Sequence, residues 1–460
     1  MSRLLTLSLL SLSLRLFGQE CSCLSQFSFV KNYYQRNNPA FQIIKNDPTA
    51  HKNYIIQVKK LTTEISKEKS NDRCNIYFDK YVSLLKDHHS GIDVSLQRLN
   101  LDLNSQKSVD SFRATKGYKS FKKIEIDTVT LLSRLKTKPQ ADVEGLYRTS
   151  TNIILAVMET QPGSYMGVVM KKNKLLDVGH ILLELKKRDN TNYECVYHTG
   201  LLAVNFENVY GNVEIKNGQI AQLGFSKIGA QNEAATRPYA FRELDSTTNY
   251  IKLTSFERKL KPELDSFYRS IDGLIQSKPY LIIDLRDNGG GAEECYFSLL
   301  KYVYTRPLQI DNVDVWVSPD NIARYEEIGA SQTLINRMKK AKPFGFIPQL
   351  EGPAERWTME GTTNPKKVAL LFNRKTASSA EGMITYAMQS DKVITMGENS
   401  GGHIGFGDVM TTKIPCGKYS LRSTTTKYHN NSRYEFVGIA PKVYLSAEED
   451  WIEVARKMLH

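Results

Sequence analysis

The sequence is short of several things, and each shortage narrows what the chain can be. After residue 17 no run approaches the roughly 20 consecutive apolar residues that a bilayer-crossing helix needs, so no stable membrane span is expected. Only six cysteines and eight histidines occur among 460 residues. None of them falls in a zinc-type spacing, since Cys21-x-Cys23 is too cramped and has no Cys/His partner pattern. No metal, nucleotide or other cofactor is therefore expected. No arginine cluster is interleaved with aromatics, so nucleic acid is not an expected partner despite a formal charge of +13. Internal repeats and low-complexity tracts are absent, which leaves an ordinary globular chain of two or three domains.

Hydrophobic residues make up 41% and charged residues 24%, as in soluble proteins generally. The positive charge is uneven. Residues 1–150 hold 24 Lys+Arg against 14 Asp+Glu, a surplus of 10, and the other 310 residues hold 38 against 35, a surplus of 3. A basic N-terminal region of this kind reads as a solvated face. The chain opens with Met1-Ser2-Arg3, an apolar stretch over 4–17 and then Gly18-Gln19-Glu20. That order resembles an export signal interrupted by Arg15, with cleavage expected near residues 18–19 and a periplasmic or extracellular product. Gly18-Gln19-Glu20 is not a lipidation pattern for Cys21. An even cysteine count in an exported chain permits disulfides, and a bridge from Cys74 to Cys21 or Cys23 is the expected one. Cys295 reads as a buried free thiol.

Residues 19–139 read as a mainly helical region. Ile76, Phe78, Val82 and Leu85 recur at helical spacing, and the helix stops before Lys86-Asp87-His88-His89-Ser90-Gly91. Residues 140–225 contain short runs at 153–158, 165–170, 180–185, 193–197 and 201–206, with a hairpin signal at Asn217-Gly218. They read as a small antiparallel β-domain, a sandwich or lipocalin-like module. Residues 226–245 are polar and irregular and read as a linker. From 246 to 460 strands alternate with helices: strands at 251–253, 280–285, 368–372 and 393–396, helices at 259–276, 292–304 and 378–388. That alternation predicts an α/β domain.

Two strand ends carry the chemistry. In Asp284-Leu285-Arg286-Asp287-Asn288-Gly289-Gly290-Gly291 a buried strand breaks into glycines that can aim backbone N–H groups outward. In Thr376-Ala377-Ser378-Ser379-Ala380-Glu381 a second strand ends with Ser378 at a helix start, where it could also simply cap that helix in a box with Glu381. A nucleophile beside preorganised N–H donors is the minimum apparatus for acyl transfer.

Together these segments resemble the peptidase domain of the C-terminal processing peptidase and tricorn-core superfamily. The likeness covers about residues 245–445 and the histidine segment near position 89. It extends to Gly397-Glu398-Asn399-Ser400-Gly401-Gly402 and Gly438-Ile439-Ala440-Pro441. The resemblance implies a layered ββα core of crotonase and Clp type. It places the nucleophile on Ser378 and the oxyanion donors on the N–H groups of Ser379 and Gly290. One branch of the superfamily uses a lysine base in T-x-G-K, a position held here by His403. The other draws a histidine from D-G-H-[ST] and a glutamate shortly before G-[IV]-x-P. Asp87-His88-His89-Ser90 resembles that segment, so His89 is the expected base, with His403 the alternative and Glu435 the supporting glutamate. His88 stands where the family has glycine, and Lys442 follows Pro441 where it has aspartate. A serine needs a base titrating near neutrality, which an ordinary histidine supplies without the desolvation a lysine requires. The β-domain sits where processing peptidases carry a peptide-gripping domain, but Gln222-Leu223-Gly224-Phe225 is a poor match to that domain's loop. The expectation is an exported serine endopeptidase acting on polypeptides. Its rivals are a catalytically silent peptide- or ligand-binding protein of the same fold and an esterase.

Overall fold

The computed structural model describes residues 21–460 apart from 70, 95–100, 150–151, 199–208, 217, 221–222, 229–236, 353–355 and 447. The expected export signal, the strand at 201–206, the Asn217 turn and residues 229–236 of the expected linker lie outside the described residues.

The N-terminal region packs helices Cys23–Asn37, Pro39–Asn46, Pro48–Ile65 and Cys74–Val82 around Phe27, Tyr34, Phe78 and Tyr81. Side-chain caps start the first three: Ser22, Asn38 and Asp47 each accept a first-turn N–H, and Pro39 and Pro48 follow two of them, where a missing N–H costs nothing. The same core takes in Tyr419 and Leu421 from far along the chain. The strand Gly91–Val94 is the reason, since it pairs antiparallel with Tyr419–Ser423. Cys23–Cys74 staples this region internally, and Cys21–Cys416 ties its start to the distant loop. Cys195 and Cys295 are buried free thiols.

Among the described residues, 145–227 supply a closed antiparallel barrel of eight strands, with Phe225–Lys227 pairing back onto Gly145–Arg148. Closure removes the exposed edges that an open sheet of this size would present. Its interior is filled by Tyr147, Leu155, Leu183 and Phe225 among others.

The expected linker over 226–245 needs correction. Its start completes the barrel, and Tyr239–Glu243 is an edge strand of the core sheet. Both were masked by polar residues that the fold accommodates. Lys227 is buried with its ammonium donating to the carbonyls of Pro139 and Asp142, and the half-buried Tyr239 and Phe241 alternate with the exposed Ala240 and Arg242 on the edge.

The core sheet runs Tyr239–Glu243, Thr248–Leu253, Tyr280–Asp284, Lys367–Phe372, Val393–Gly397 and Val443–Tyr444, parallel apart from its first pair. Alternate residues face opposite layers. Ile251, Ile283 and Leu370 pack on helices Lys261–Gln276 and Ser379–Ala387, and Tyr250, Ile282 and Leu371 pack on Trp451–Leu459. Both faces are covered, which is why these strands read as continuous apolar runs. A second sheet, Gly345–Pro348, Val313–Val317, Thr426–Tyr428 and Phe406–Gly407, lies beyond. The expected helix at 292–304 is instead two short 3-10 turns and a single helical turn, Leu300–Val303. The fold is therefore an α/β layered core carrying a helical region and a small β-domain.

Candidate active site

The parallel strands Tyr280–Asp284 and Lys367–Phe372 end side by side, and the turns that follow are laced together. Ala377 N–H donates to Asn288 O at 2.9 Å, and Thr376 Oγ donates to Leu285 O at 2.8 Å. Ser378 closes the second turn with φ 56° and ψ −124°, a strained backbone for a residue bearing a Cβ. The strain puts its side chain at the mouth of a cavity of about 1470 Å³, which His89, Gly291, Ser379 and His403 also line.

Glu381 is what holds this turn. It is fully buried, and each of its oxygens accepts two hydrogen bonds. Oε2 takes the N–H of Ser378 (2.9 Å) and of His403 (2.8 Å); Oε1 takes the Ser400 hydroxyl (2.5 Å) and the Gly402 N–H (2.8 Å). Burial nonetheless pushes its carboxyl up from the ordinary range, against the pull of those four donors. In the sequence Glu381 looked like half of a capping box. Its reach to the 400–403 loop, some 20 residues on, had no local signal.

His89 Nε2 lies 3.0 Å from Ser378 Oγ. Its backbone N–H donates to Asp87 Oδ1 at 3.0 Å, while its Nδ1 is buried with no hydrogen-bond partner among the described residues. Asp87 also accepts from Asn38 Nδ2, the Ser90 hydroxyl and the Thr424 hydroxyl, so the segment 87–90 is pinned from both the helical region and the core. Burial lowers the His89 pKa from its ordinary value, opposed by the charge of Asp87 and assisted by His88 and Arg422.

His88 points elsewhere. Its Nδ1 is 2.8 Å from the Gly402 carbonyl, which assigns the proton to that nitrogen. Its ring is sandwiched between Phe436 and His403, with centroids 3.7 and 4.0 Å away. Glu435 accepts the His88 N–H at 3.0 Å and the Gly405 N–H at 2.7 Å, so it touches the residue before His89 rather than His89 itself. Burial raises its carboxyl to about 7. His403 stands edge-on to His89, centroids 6.2 Å apart, and makes no hydrogen bond to Ser378. Burial, then the neighbouring imidazoles, lowers it to about 4.

Of the two expected oxyanion donors, Gly290 is already engaged. The Gly290 N–H is occupied by Asn288 Oδ1 at 2.9 Å, an Asx turn that the N-x-G spacing builds in. Gly290 O accepts from Phe256 N–H and Ala292 N–H donates to Phe256 O. By strand alternation the intervening Gly291 N–H points away from Phe256, and it has no acceptor among the described residues. Gly291 has φ 144°, and a Cβ there would sit 2.0 Å from Phe256 O, so only glycine fits. The Ser379 N–H, at the first position of its helix, is likewise unengaged among the described residues.

Residues 247–445 match Peptidase family S41. Among solved structures, mature CPAF shares 12% identity over 95% of this chain and 96% of its own, with a TM-score of 0.50, which shows a common fold. A putative peptidase from Parabacteroides merdae shares 18% identity over 48% of this chain and 64% of its own (TM-score 0.32). The photosystem II D1 C-terminal processing protease shares 13% over 95% of this chain and 97% of its own (TM-score 0.38). No curated protein matches. Over residues 247–445, a little under half of its length, the chain is thus similar to Peptidase family S41, and it shares the fold of mature CPAF.

Proposed function

We propose that the chain is an exported serine endopeptidase working through an acyl-enzyme on Ser378. The observation that carries the reading is the 3.0 Å contact between Ser378 Oγ and His89 Nε2, made across 289 residues of sequence. Neutral His89 accepts the hydroxyl proton as Ser378 attacks the scissile carbonyl, and returns it to the leaving amine. The Gly291 and Ser379 N–H groups receive the oxyanion; a donor of this kind is commonly worth about 100-fold or more in rate. Asp87 holds the His89 backbone and favours the imidazolium by its charge. Glu435 acts at one remove, fixing His88 and the Gly405 turn. Export is supported by the N-terminal Arg3 and apolar pattern and by two disulfides, which persist in oxidising compartments.

The test is labelling of the full-length secreted protein with a fluorophosphonate, with mass-spectrometric mapping of the adduct. Modification of Ser378, lost in His89→Ala, is expected. An unlabelled but folded protein would favour a silent binding protein, and turnover of esters without peptides would favour an esterase. N-terminal sequencing that finds an intact Met1 would remove the export reading.

A further inference from the structure

Five carboxylates line the cavity, and four of them are already engaged. Glu294 pairs with Arg258, Asp314 with His429, and Asp408 accepts from Tyr325 and Gln349. Asp311 accepts from Asn430 and Asn431. Glu293 alone has no hydrogen bond or ion pair among the described residues. It stands two residues after Gly291, at the start of a 3-10 turn that follows the glycine loop.

Its surroundings converge on one point beside the nucleophile. A Cβ built on Gly382, one turn along the Ser378 helix, would lie 3.5 Å from Glu293 Oε1 and 3.0 Å from the Tyr296 hydroxyl. That hydroxyl belongs to a residue with 0% exposure and has no hydrogen-bond partner. Ser379 Oγ, on the same helix turn and 6% exposed as a residue, is also unpartnered. Buried polar groups are rarely left so, and two open ones on the same wall as an unpaired carboxylate leave hydrogen-bonding capacity for a water or a ligand atom. The phenols of Tyr386 and Tyr428, both lining the cavity, are pushed up by burial and then by the Glu293 charge, which places them within its field. The cations of the lining are Arg258, held by Glu294, and Arg356 and Arg433, both exposed.

We infer that Glu293, Tyr296, Ser379 and Gly382 form a specificity pocket for a lysine or arginine side chain of the substrate, next to the scissile bond. This rests on the peptidase reading proposed above. A free carboxylate among tyrosine rings suits an ammonium or guanidinium, whose alkyl stem packs on the rings while its head meets the charge. Glu293, Ser379, Gly382, Tyr386 and Tyr428 all face the cavity of about 1470 Å³, which leaves the room.

The experiment uses the secreted full-length protein and a synthetic peptide library. Cleavage sites are mapped by mass spectrometry, and peptides identical but for lysine, norleucine or glutamate at each position flanking the bond are then compared. The kcat/KM for lysine should exceed that for norleucine by about tenfold or more at one flanking position. In Glu293→Gln the lysine-to-norleucine ratio should fall to near one. Glu293→Lys should invert the preference towards glutamate, a gain that misfolding cannot produce. Cleavage indifferent to charge in the wild type, or a ratio unchanged in Glu293→Gln, overturns the pocket and leaves the peptidase standing. No cleavage of any peptide, with Ser378 unreactive to fluorophosphonate, overturns both.

Discussion

Replacing Glu381 by glutamine changes one atom of a side chain that touches no substrate, yet it should cost both stability and activity. The carboxylate accepts four hydrogen bonds, two at each oxygen. A carboxamide has one oxygen, so one pair of donors must face an NH2 group instead: Ser378 and His403, or Ser400 and Gly402. All four are in the interior or at its edge. Two orphaned donors cost about 1–3 kcal/mol each, so a loss of about 2–6 kcal/mol is expected. The kinetic effect follows from the Ser378 backbone, whose conformation carries roughly 1–3 kcal/mol of strain that its surroundings must hold in place. If that turn relaxes, Oγ leaves the reach of His89, and a displacement near 1 Å costs on the order of 100-fold. The assay pairs chemical denaturation with kcat/KM on the same preparation, beside Ile384→Ala as a control. That residue is buried in the same helix and its truncation costs about 2–5 kcal/mol without touching the carboxylate. Glu381→Gln should lose far more activity than Ile384→Ala at similar stability. Equal activity in the two variants would refute the reasoning, and so would a glutamine variant as active as wild type.

Three other outcomes follow from the same geometry. Because burial lowers the His89 pKa and the base acts neutral, the acid limb of kcat/KM against pH should fall below 6.5; a limb at or above that value would contradict the assignment of His89. For stability, the folded pKa of His403 is depressed to about 4, so its contribution is complete above 6.5 and lost as pH falls through about 4, while that of Glu435, raised to about 7, is complete below 4.5 and lost as pH rises through about 7. The two windows overlap, so the opposing slopes should nearly cancel in the wild type between about pH 4.5 and 6.5; His403→Gln should expose a fall in stability with rising pH and Glu435→Gln a rise, each on the order of 1–2 kcal/mol after allowing for partial exposure. The double variant Cys23→Ala/Cys74→Ala should lose about 2–4 kcal/mol of stability, with the activity lost at the lower unfolding midpoint, because the staple sits in the helical region that carries His89; an unchanged midpoint would show that packing alone suffices.

What could be read from the sequence follows a physical division. Strands buried on both faces are apolar along their length, so 280–285 and 368–372 were visible without any knowledge of their neighbours. The glycine turn and the Ser378 turn were visible because each needs special residues at consecutive positions. Contacts made between remote segments left no such mark. Nothing near Asn288 distinguishes Gly290 from Gly291 as the open donor, because the choice depends on pairing with Phe256. Cys416 carries no sign that Cys21 is its partner. Glu293 reads as an ordinary first-turn acid until Gly382 and Tyr296 are brought beside it. The barrel strands at 219–220 and 225–227 are too short and too polar to be seen, and exist because closure supplies partners on both sides.

The division of the site between two regions has a consequence for how the enzyme is assembled. In the proposed mechanism the nucleophile, its strained turn and both oxyanion donors belong to the core domain, while the base comes from a segment nearly three hundred residues earlier. What joins them is not the barrel that lies between them in sequence. Tyr34 reaches from the first helix to the carbonyls of Gly91 and Arg422 at 3.0 and 2.7 Å, and Asn38 bridges Asp87 and Ser90 to Ser423 and Thr424. Gly91–Val94 completes the latch by pairing with Tyr419–Ser423, two residues after the base. Strand pairing and a buried polar network form together or leave costly unpaired groups, so the latch has little middle ground. The base is delivered to Ser378 only when the helical region has docked, and a chain that has folded its core alone holds a serine without its proton acceptor.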